Sequence, residues 1–364
     1  MLSTTIAHQR LVQQRLAQNP LANPAEIVGW LGAVQAQDYL GSLWAIGLRT
    51  EHATMADIEQ AVADRTIVRT WPMRGTLHFV APEDVRWMLE LLTPRIIARN
   101  AVQYRRVGLD DTIFSRSCDT LVKALQGGKQ LSRNALYKVL AAAGISTDGL
   151  RGLFILAWLA QKGVICFGAR QGKQQTFALL EEWVPAAKTM ERDQALAELA
   201  RRYFTSHGPA TLQDFIWWTG LTAGDARAGL EMVKSQFNQE AINGQAYYRS
   251  PSALPSSVSP STAYLLPPFD EYAVAYTDRS AVLDPVHTLQ AGYGIGPTMV
   301  LGGQIVGTWK RTIKKDAIVI EARPFIPLSN AGIRLFTDVA ERYGEFMGLP
   351  VALGWADKNS TPTS

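Results

Sequence analysis

Ser132-Arg133-Asn134-Ala135-Leu136-Tyr137-Lys138-Val139-Leu140-Ala141-Ala142-Ala143-Gly144 opens the stretch whose reading decides the fold. Ser132 is a good N-cap, its hydroxyl able to accept from a first-turn amide, and Gly144 suits the left-handed residue that ends a helix, so a helix is expected over Arg133–Ala143. A second helix is expected from about Gly149 to Lys162, with Leu153, Leu156, Ala157 and Ala160 on one face. Gly163 stops it. Val164-Ile165-Cys166-Phe167 then reads as a strand and Thr176-Phe177-Ala178-Leu179 as its partner. Between them lies the polar, basic turn Gly168-Ala169-Arg170-Gln171-Gly172-Lys173-Gln174-Gln175. Two helices followed by a hairpin is the winged-helix arrangement.

Working outward, the same succession of signals recurs twice. Downstream, Thr211–Trp218 makes a short helix, Thr222 caps another toward Lys234, and Ala241–Tyr248 forms a hairpin around Asn243-Gly244, a strong two-residue turn signal. Upstream, helices are expected at Ile6–Gln18, Pro24–Val34, Leu43–Leu48 and Met55–Ala63. The hairpin there joins Ile67–Trp71 to Thr76–Val80 through Pro72-Met73-Arg74-Gly75. The three are alike in pattern rather than in residues. Beyond Arg249 the composition changes. Ser250–Ser261, rich in Ser and Pro, reads as a linker or surface loop. Val300–Leu301 and Ile305–Lys310 around Gly302-Gly303, then Ala317–Ala322, alternate like antiparallel strands. Asn330–Met347 is a closing amphipathic helix, and Ala356–Ser364 a polar, frayed end. The fold class is mainly α with short β-hairpins (α+β), as three tandem winged-helix units and a C-terminal β-rich segment. The expected divisions are 1–108, 109–186, 187–250 and 251–364.

At 364 residues, with 47% apolar and 19% charged, the chain can bury a large core. A net charge of +4 permits nucleic-acid binding without demanding it. The two cysteines, Cys118 and Cys166, are too few for a disulfide scaffold or a cysteine-rich metal site, and read as core or half-buried thiols. No signal peptide is visible, and Gly152–Phe167, the most apolar stretch, is interrupted by Gln161 and Lys162 and too short to span a bilayer. A cytoplasmic protein, monomeric and without membrane attachment, is the plain expectation. Phosphate-binding glycine loops, HExxH helices, Cys-His zinc spacings and GxSxG elbows are missing. The run Gly292-Tyr293-Gly294-Ile295-Gly296 lacks a strand-to-helix context and reads as a loop. Phe215, Trp217 and Trp218 read as hydrophobic core.

The segment that could carry chemistry is Val34-Gln35-Ala36-Gln37-Asp38-Tyr39. By spacing alone two glutamines two apart are a solvated helix end. In an extended backbone, however, residues i and i+2 point to one side, and Gln35 and Gln37 would present two amides to one water or one sugar. That requires the preceding helix to end near Val34. Asp38 would face away and serve as a structural hydrogen-bonder.

Gln35-Ala36-Gln37 resembles the Gln-apolar-Gln catalytic motif of the family containing the AlkZ and YcaQ DNA glycosylases. Three further segments agree in order across nearly the whole chain: Met73-Arg74-Gly75-Thr76-Leu77-His78, Leu266-Pro267-Pro268-Phe269-Asp270-Glu271-Tyr272, and the glycine hairpin Val300–Lys310. The YcaQ-like branch has Asp where this chain has Gln37, so the resemblance is nearer the AlkZ branch. It implies winged-helix units in a C-shaped arrangement lining a basic channel, and hydrolytic removal of N-alkylated purines from double-stranded DNA. In some members it also implies unhooking of interstrand crosslinks. No metal or cofactor is implied, and no lysine is placed as a Schiff-base nucleophile. Gln35 and Gln37 would place water and stabilise the oxocarbenium-like sugar, with Arg74 and His78 in support. The tip Gly302-Gly303-Gln304 resembles the family's lesion-side hairpin.

DNA-binding candidates are scattered. Arg95, Arg99 and Arg106 fall at roughly helical spacing with Arg105 beside them, and form either a solvated face or a set of phosphate ligands. Arg170 and Lys173 sit like a wing that tracks a groove, and Lys310 and Arg311 follow the glycine hairpin. Asp270 and Glu271 are read as bracing the domain junction with Arg279 rather than as a catalytic pair. A non-catalytic winged-helix DNA-binding or regulatory protein would share every basic residue and differ only in what the glutamines do. Sequestration of a DNA-reactive small molecule is a third reading.

Overall fold

The computed structural model describes residues 2–18, 20–185, 188–251 and 262–356. In the middle unit Ser132 accepts from the Ala135 amide and caps the helix Arg133–Ala142; Gly144 follows at φ +72°. The helix Arg151–Gln161 and the hairpin Ile165–Phe167 and Thr176–Leu179 complete the unit. The buried stripe of that second helix is Ile155, Leu156, Leu159 and Ala160, whereas Leu153 is 40% exposed. The helix is apolar on both sides because it stands between the core and an open cleft, and periodicity alone does not tell one wall from the other.

In addition, each unit carries a two-residue strand before its helices, and this makes the topology repeat. Val34–Gln35 joins Thr76–Val80, which joins Val68–Met73; Leu131–Ser132 joins Thr176–Leu179, which joins Ile165–Phe167; Ala210–Thr211 joins Gln245–Arg249, which joins Asn238–Ile242. All six pairings are antiparallel. The expected turns stand where their residues demand them: Arg74 and Gly75 have φ +56° and +81°, and Asn243 and Gly244 have +51° and +79°. Thr211 and Thr222 cap helices Leu212–Thr219 and Ala223–Val233.

A five-stranded sheet follows, in the order Ala263–Leu266, Thr298–Leu301, Gln304–Ile313, Ile318–Pro324 and Val351–Trp355, the last pair parallel. The helix Asn330–Met347, capped by Ser329, lies on it with Phe336, Ala340 and Tyr343 buried. Two apolar cores result. One joins the first unit, the middle unit and the five-stranded sheet. The other joins the far face of the first hairpin to the third unit, around Trp87, Tyr203, Phe204, Phe215 and Trp218.

Three helix boundaries and one burial differ from expectation for local reasons. The first helix is Leu2–Gln13, because Arg15 turns into the left-handed region at φ +61°. The next is Pro24–Leu31, stopped by Gly32 at φ +78°. The third is Tyr39–Gly47, longer than expected because Asp38 caps it. Trp217 is 45% exposed, its indole N–H bonded to the Val274 carbonyl, so only Phe215 and Trp218 of that aromatic trio are core. The Ser250–Ser261 linker and the C-terminal tail fall largely outside the described residues. No helix among the described residues is long and apolar enough to cross a membrane.

Asp270 does brace a junction, but its partner is Arg49. The Arg49 guanidinium donates to both Asp270 carboxylate oxygens at 2.7 and 2.9 Å, and to the Gln14 and Ala45 carbonyls. Both side chains are essentially buried. Arg279 donates instead to the Ala273 carbonyl, on its own side of the turn. Asp270 thereby also caps the short helix Glu271–Val274 by accepting from Tyr272.

Candidate active site

A displaced helix start builds the site. In the middle and third units the second residue of the two-residue strand, Ser132 or Thr211, is itself the N-cap of the next helix. In the first unit the equivalent strand residue is Gln35, paired opposite His78, yet the cap is Asp38, three residues on. Ala36 and Gln37 are therefore interposed. The chain stays extended through Ala36, whose amide donates to Leu77 at 2.7 Å, and bends at Gln37. The Gln37 side-chain oxygen accepts from the Leu77 amide at 3.3 Å. Both glutamines thus hang on the strand Thr76–Val80, Gln35 buried and Gln37 exposed.

Gln35 is held from two sides. Its Oε1 accepts from Arg74 Nη2 at 2.9 Å, and its backbone N–H donates to Glu271 Oε1 at 3.1 Å. Arg74 is positioned by the left-handed turn it occupies, and also donates to the Trp218 carbonyl. Burial lowers the Arg74 pKa, and the nearby Glu271 charge offsets part of that cost. Glu271 is 1% exposed; its Oε2 accepts from Trp218 Nε1 at 2.8 Å and lies 3.5 Å from His207 Nε2. Burial pushes the Glu271 carboxyl up, but the adjacent His207 ring and the Arg74 guanidinium outweigh it and hold it below its usual value. An ionised carboxylate therefore sits behind Gln35. Its contact is with backbone, so it positions the segment rather than touching a substrate.

His78 is completely buried, with Nδ1 at 3.1 Å from the Thr76 carbonyl and Nε2 at 3.2 Å from Arg74 Nη2. Only a neutral ring with its proton on Nδ1 satisfies both contacts. Burial, then the Arg74 charge, lowers its pKa from 6.5 to about 3. Between these two values the unfolded chain carries a proton that the folded chain does not. Stability is therefore expected to fall as pH drops through that window, at up to about 1.4 kcal/mol per pH unit from this ring. Above it the ring is neutral in both states and adds no slope. Urea midpoints followed downward from neutrality should fall more steeply for the wild type than for His78→Gln; equal slopes would show that the folded ring already titrates.

Other expected site residues are placed as follows. Asp38 caps Gly41 and takes both its oxygens to Arg311 Nη2, at 2.9 and 2.8 Å, which ties the five-stranded sheet to the glutamine segment. Arg311 is therefore an ion-pair partner and not a free phosphate ligand. Arg170 is likewise engaged, paired with Glu59 and lying over the Tyr39 ring. The tip Gly302-Gly303-Gln304 does not stand free. Gly302 and Gly303 carbonyls accept from His8 and the Tyr272 hydroxyl, Gln304 donates to Ala281, and a Cβ on Gly303 would lie 3.1 Å from the His8 ring. Glycine serves there for close packing under the first helix. The exposed turn of this sheet is instead Lys314–Asp316, at the end nearer Arg311. Arg95, Arg99, Arg105, Arg106, Lys173 and Lys310 are all exposed. Arg99 reaches the Arg74 carbonyl and Arg95 that of Gly220, which sets these two at the edge of the glutamine site.

Sequence reading passed over Arg69, Arg133, Glu271 as a support of Gln35, and Trp218. Arg69 left a signal: it is the one charged residue in the run Ile67–Met73. Glu271 left little, since its partner lies 236 positions away.

The sequence model of a family described as "DNA glycosylase AlkZ-like" matches residues 28–346. An interstrand DNA cross-link repair glycosylase from Streptomyces sahachiroi is 27% identical over 321 residues, covering 83% of this chain and 85% of that protein. Among solved structures, the Streptomyces sahachiroi DNA glycosylase AlkZ superposes with a TM-score of 0.79 at 23% identity, covering 96% of this chain and 99% of that one. That likeness bears on the fold.

Proposed function

Because this chain belongs to the AlkZ-like DNA glycosylase family, we propose that it hydrolyses the N-glycosidic bond of N-alkylated purines such as 7-alkylguanine in duplex DNA, with Gln35 and Gln37 as its catalytic residues. The observation that carries this reading is the held pair of amides: Gln35 fixed by Arg74 and Glu271, Gln37 by Leu77, on one strand. The similarity to a cross-link repair glycosylase supports crosslinked purines as further substrates.

The chemistry suits amides. A 7-alkylguanine already carries positive charge and leaves as a neutral base, so little acid catalysis is needed. As the bond breaks, positive charge grows on the sugar. Preorganised carbonyl dipoles stabilise that charge and hold the attacking water without reorganising. An amide does not take a proton at neutral pH, so the proton from the water passes to solvent once the sugar–oxygen bond has formed. Gln37, the exposed member, meets the water and sugar. Gln35 stands behind it with its carbonyl polarised by Arg74; a carbonyl oxygen keeps a second lone pair for the water. Asp38 is committed to Arg311 and Gly41 and takes no proton-transfer role.

Arg95, Arg99, Arg105, Arg106 and Lys173 are proposed to contact phosphates. The test is release of 7-methylguanine from a duplex, read as an alkali-labile abasic site, with affinity measured in parallel at several salt concentrations. Release is expected, and log affinity should fall against log salt with a slope of roughly −4 to −5 if five phosphates are neutralised. A flat salt response would remove the phosphate assignments, and failure to release either methylated or crosslinked purine would remove the activity.

A further inference from the structure

Helix Leu212–Thr219 of the third unit ends at Gly220, whose φ is +73°. The Gly220 N–H closes on Ile216, and the Trp218 carbonyl lies past the last helical donor. Arg74 supplies the missing donor, and its Nη2 donates to Gln35 Oε1 at 2.9 Å. A guanidinium is also favoured there by the negative end of the helix dipole. Trp218 reaches Gln35 by a second route. Its indole Nε1 donates to Glu271 Oε2 at 2.8 Å, and Glu271 Oε1 accepts the Gln35 backbone N–H at 3.1 Å. Both supports of Gln35 therefore end on Trp218. That residue is completely buried, its ring 5.1 Å from Tyr203 and 5.2 Å from His207.

His207 adds to the same carboxylate oxygen. Its Nε2 faces Glu271 Oε2 at 3.5 Å, and its Nδ1 lies 2.8 Å from Ser206 Oγ. A bare lone pair on Nε2 would oppose the carboxylate, so Nε2 carries a hydrogen and the ring presents a second dipole to Oε2. The titratable and charged groups around Glu271 are Arg74 and His78 from the first hairpin, Tyr203 and His207 from the helix Arg192–His207, and Tyr276. The Arg49 charge reaches His207, but Arg49 itself is paired with Asp270. Resting on the glycosylase reading above, we propose that Trp218 is a positioning residue for catalysis, holding Gln35 in place through Glu271 and Arg74, with His207 in support. The third unit thereby sets the geometry of a motif that belongs to the first. Without the indole N–H, the buried carboxylate turns toward another donor and gives up the Gln35 amide, or it takes a proton.

The test is single-turnover release of 7-methylguanine from a duplex, or of a crosslinked purine where that alone is released, with spontaneous release subtracted. Four full-length proteins are compared: wild type, Trp218→Phe, His207→Phe and Phe215→Leu. Trp218→Phe keeps an aromatic ring and the backbone carbonyl but removes the indole N–H. His207→Phe keeps the stack on Tyr203, 4.9 Å away, and removes the ring N–H. Phe215→Leu disturbs the same core through a side chain with no polar atom. Trp218→Phe is expected to slow release about 10- to 100-fold, the scale of a small misplacement of catalytic groups, with DNA affinity unchanged. His207→Phe should slow it less. The pH profile separates positioning from packing. The wild-type rate should hold from neutrality into the ordinary carboxylate range, because Glu271 stays ionised there. In Trp218→Phe and His207→Phe the acidic limb should move up by about one unit or more, since a buried carboxylate has lost a donor. Phe215→Leu should lower the melting temperature and leave both rate and limb in place. An unmoved limb in both of the donor-stripped variants, or a slowing that Phe215→Leu reproduces, would overturn the positioning role while leaving the glycosylase reading intact. A wild type that releases neither methylated nor crosslinked purine would overturn both.

Discussion

Gln35→Ala/Gln37→Ala is expected to release 7-methylguanine at least about 10³-fold more slowly than the wild type, the scale seen when preorganised dipoles at a developing charge are removed. DNA affinity should be unchanged, since neither amide is among the exposed cations. The two single variants are not equivalent. Gln37→Ala removes an exposed side chain whose recorded bond is to one backbone amide. Gln35→Ala also strips Arg74 of an acceptor, leaving a buried guanidinium short of a partner at a cost of about 1–3 kcal/mol. Gln35→Ala should therefore lower both rate and melting temperature, and Gln37→Ala the rate alone. Single-turnover rates and thermal unfolding of the four proteins check this. A double variant that still released base at the wild-type rate would move the chemistry elsewhere.

Asp270→Ala is expected to cost about 3–5 kcal/mol of folding stability, because it leaves the Arg49 charge buried and unpaired. Asp270→Asn should cost less, keeping an acceptor and the cap on Tyr272. Denaturant unfolding at neutral pH measures both. This pair lies next to Glu271, which holds the Gln35 amide, so loss of stability and loss of rate should travel together in Asp270→Ala. A loss below about 1 kcal/mol, the scale of an exposed ion pair, would mean that Arg49 finds another partner or water.

Much of the architecture was legible because its signals are local. Ser132, Thr211 and Thr222 each accept from an amide three residues on, and Asn243-Gly244 and Arg74-Gly75 need nothing beyond their own backbone angles. The glutamine motif was legible too, although its geometry was not. That Gln35 occupies a strand position whose counterparts are helix caps emerges only when the three units are laid over one another. The supports come from far away: Glu271 and Trp218 belong to other elements, and no spacing within the first unit announces them. The glycine hairpin shows the opposite difficulty. Gly302-Gly303 reads the same whether its tip is free or packed, and what decides is the first helix laid across it through His8 and Ala7. Arg170 and Arg311 were basic residues in plausible places whose acidic partners, Glu59 and Asp38, lie 111 and 273 positions away.

The central claim is that water, placed by two glutamines, attacks the sugar directly. Its most direct test is a single turnover on a 7-methylguanine duplex with cyanoborohydride, which reduces an imine to a stable amine, present throughout. The expected result is free 7-methylguanine, an abasic sugar and no protein trapped on the DNA. A hydride-stabilised protein–DNA adduct would contradict it.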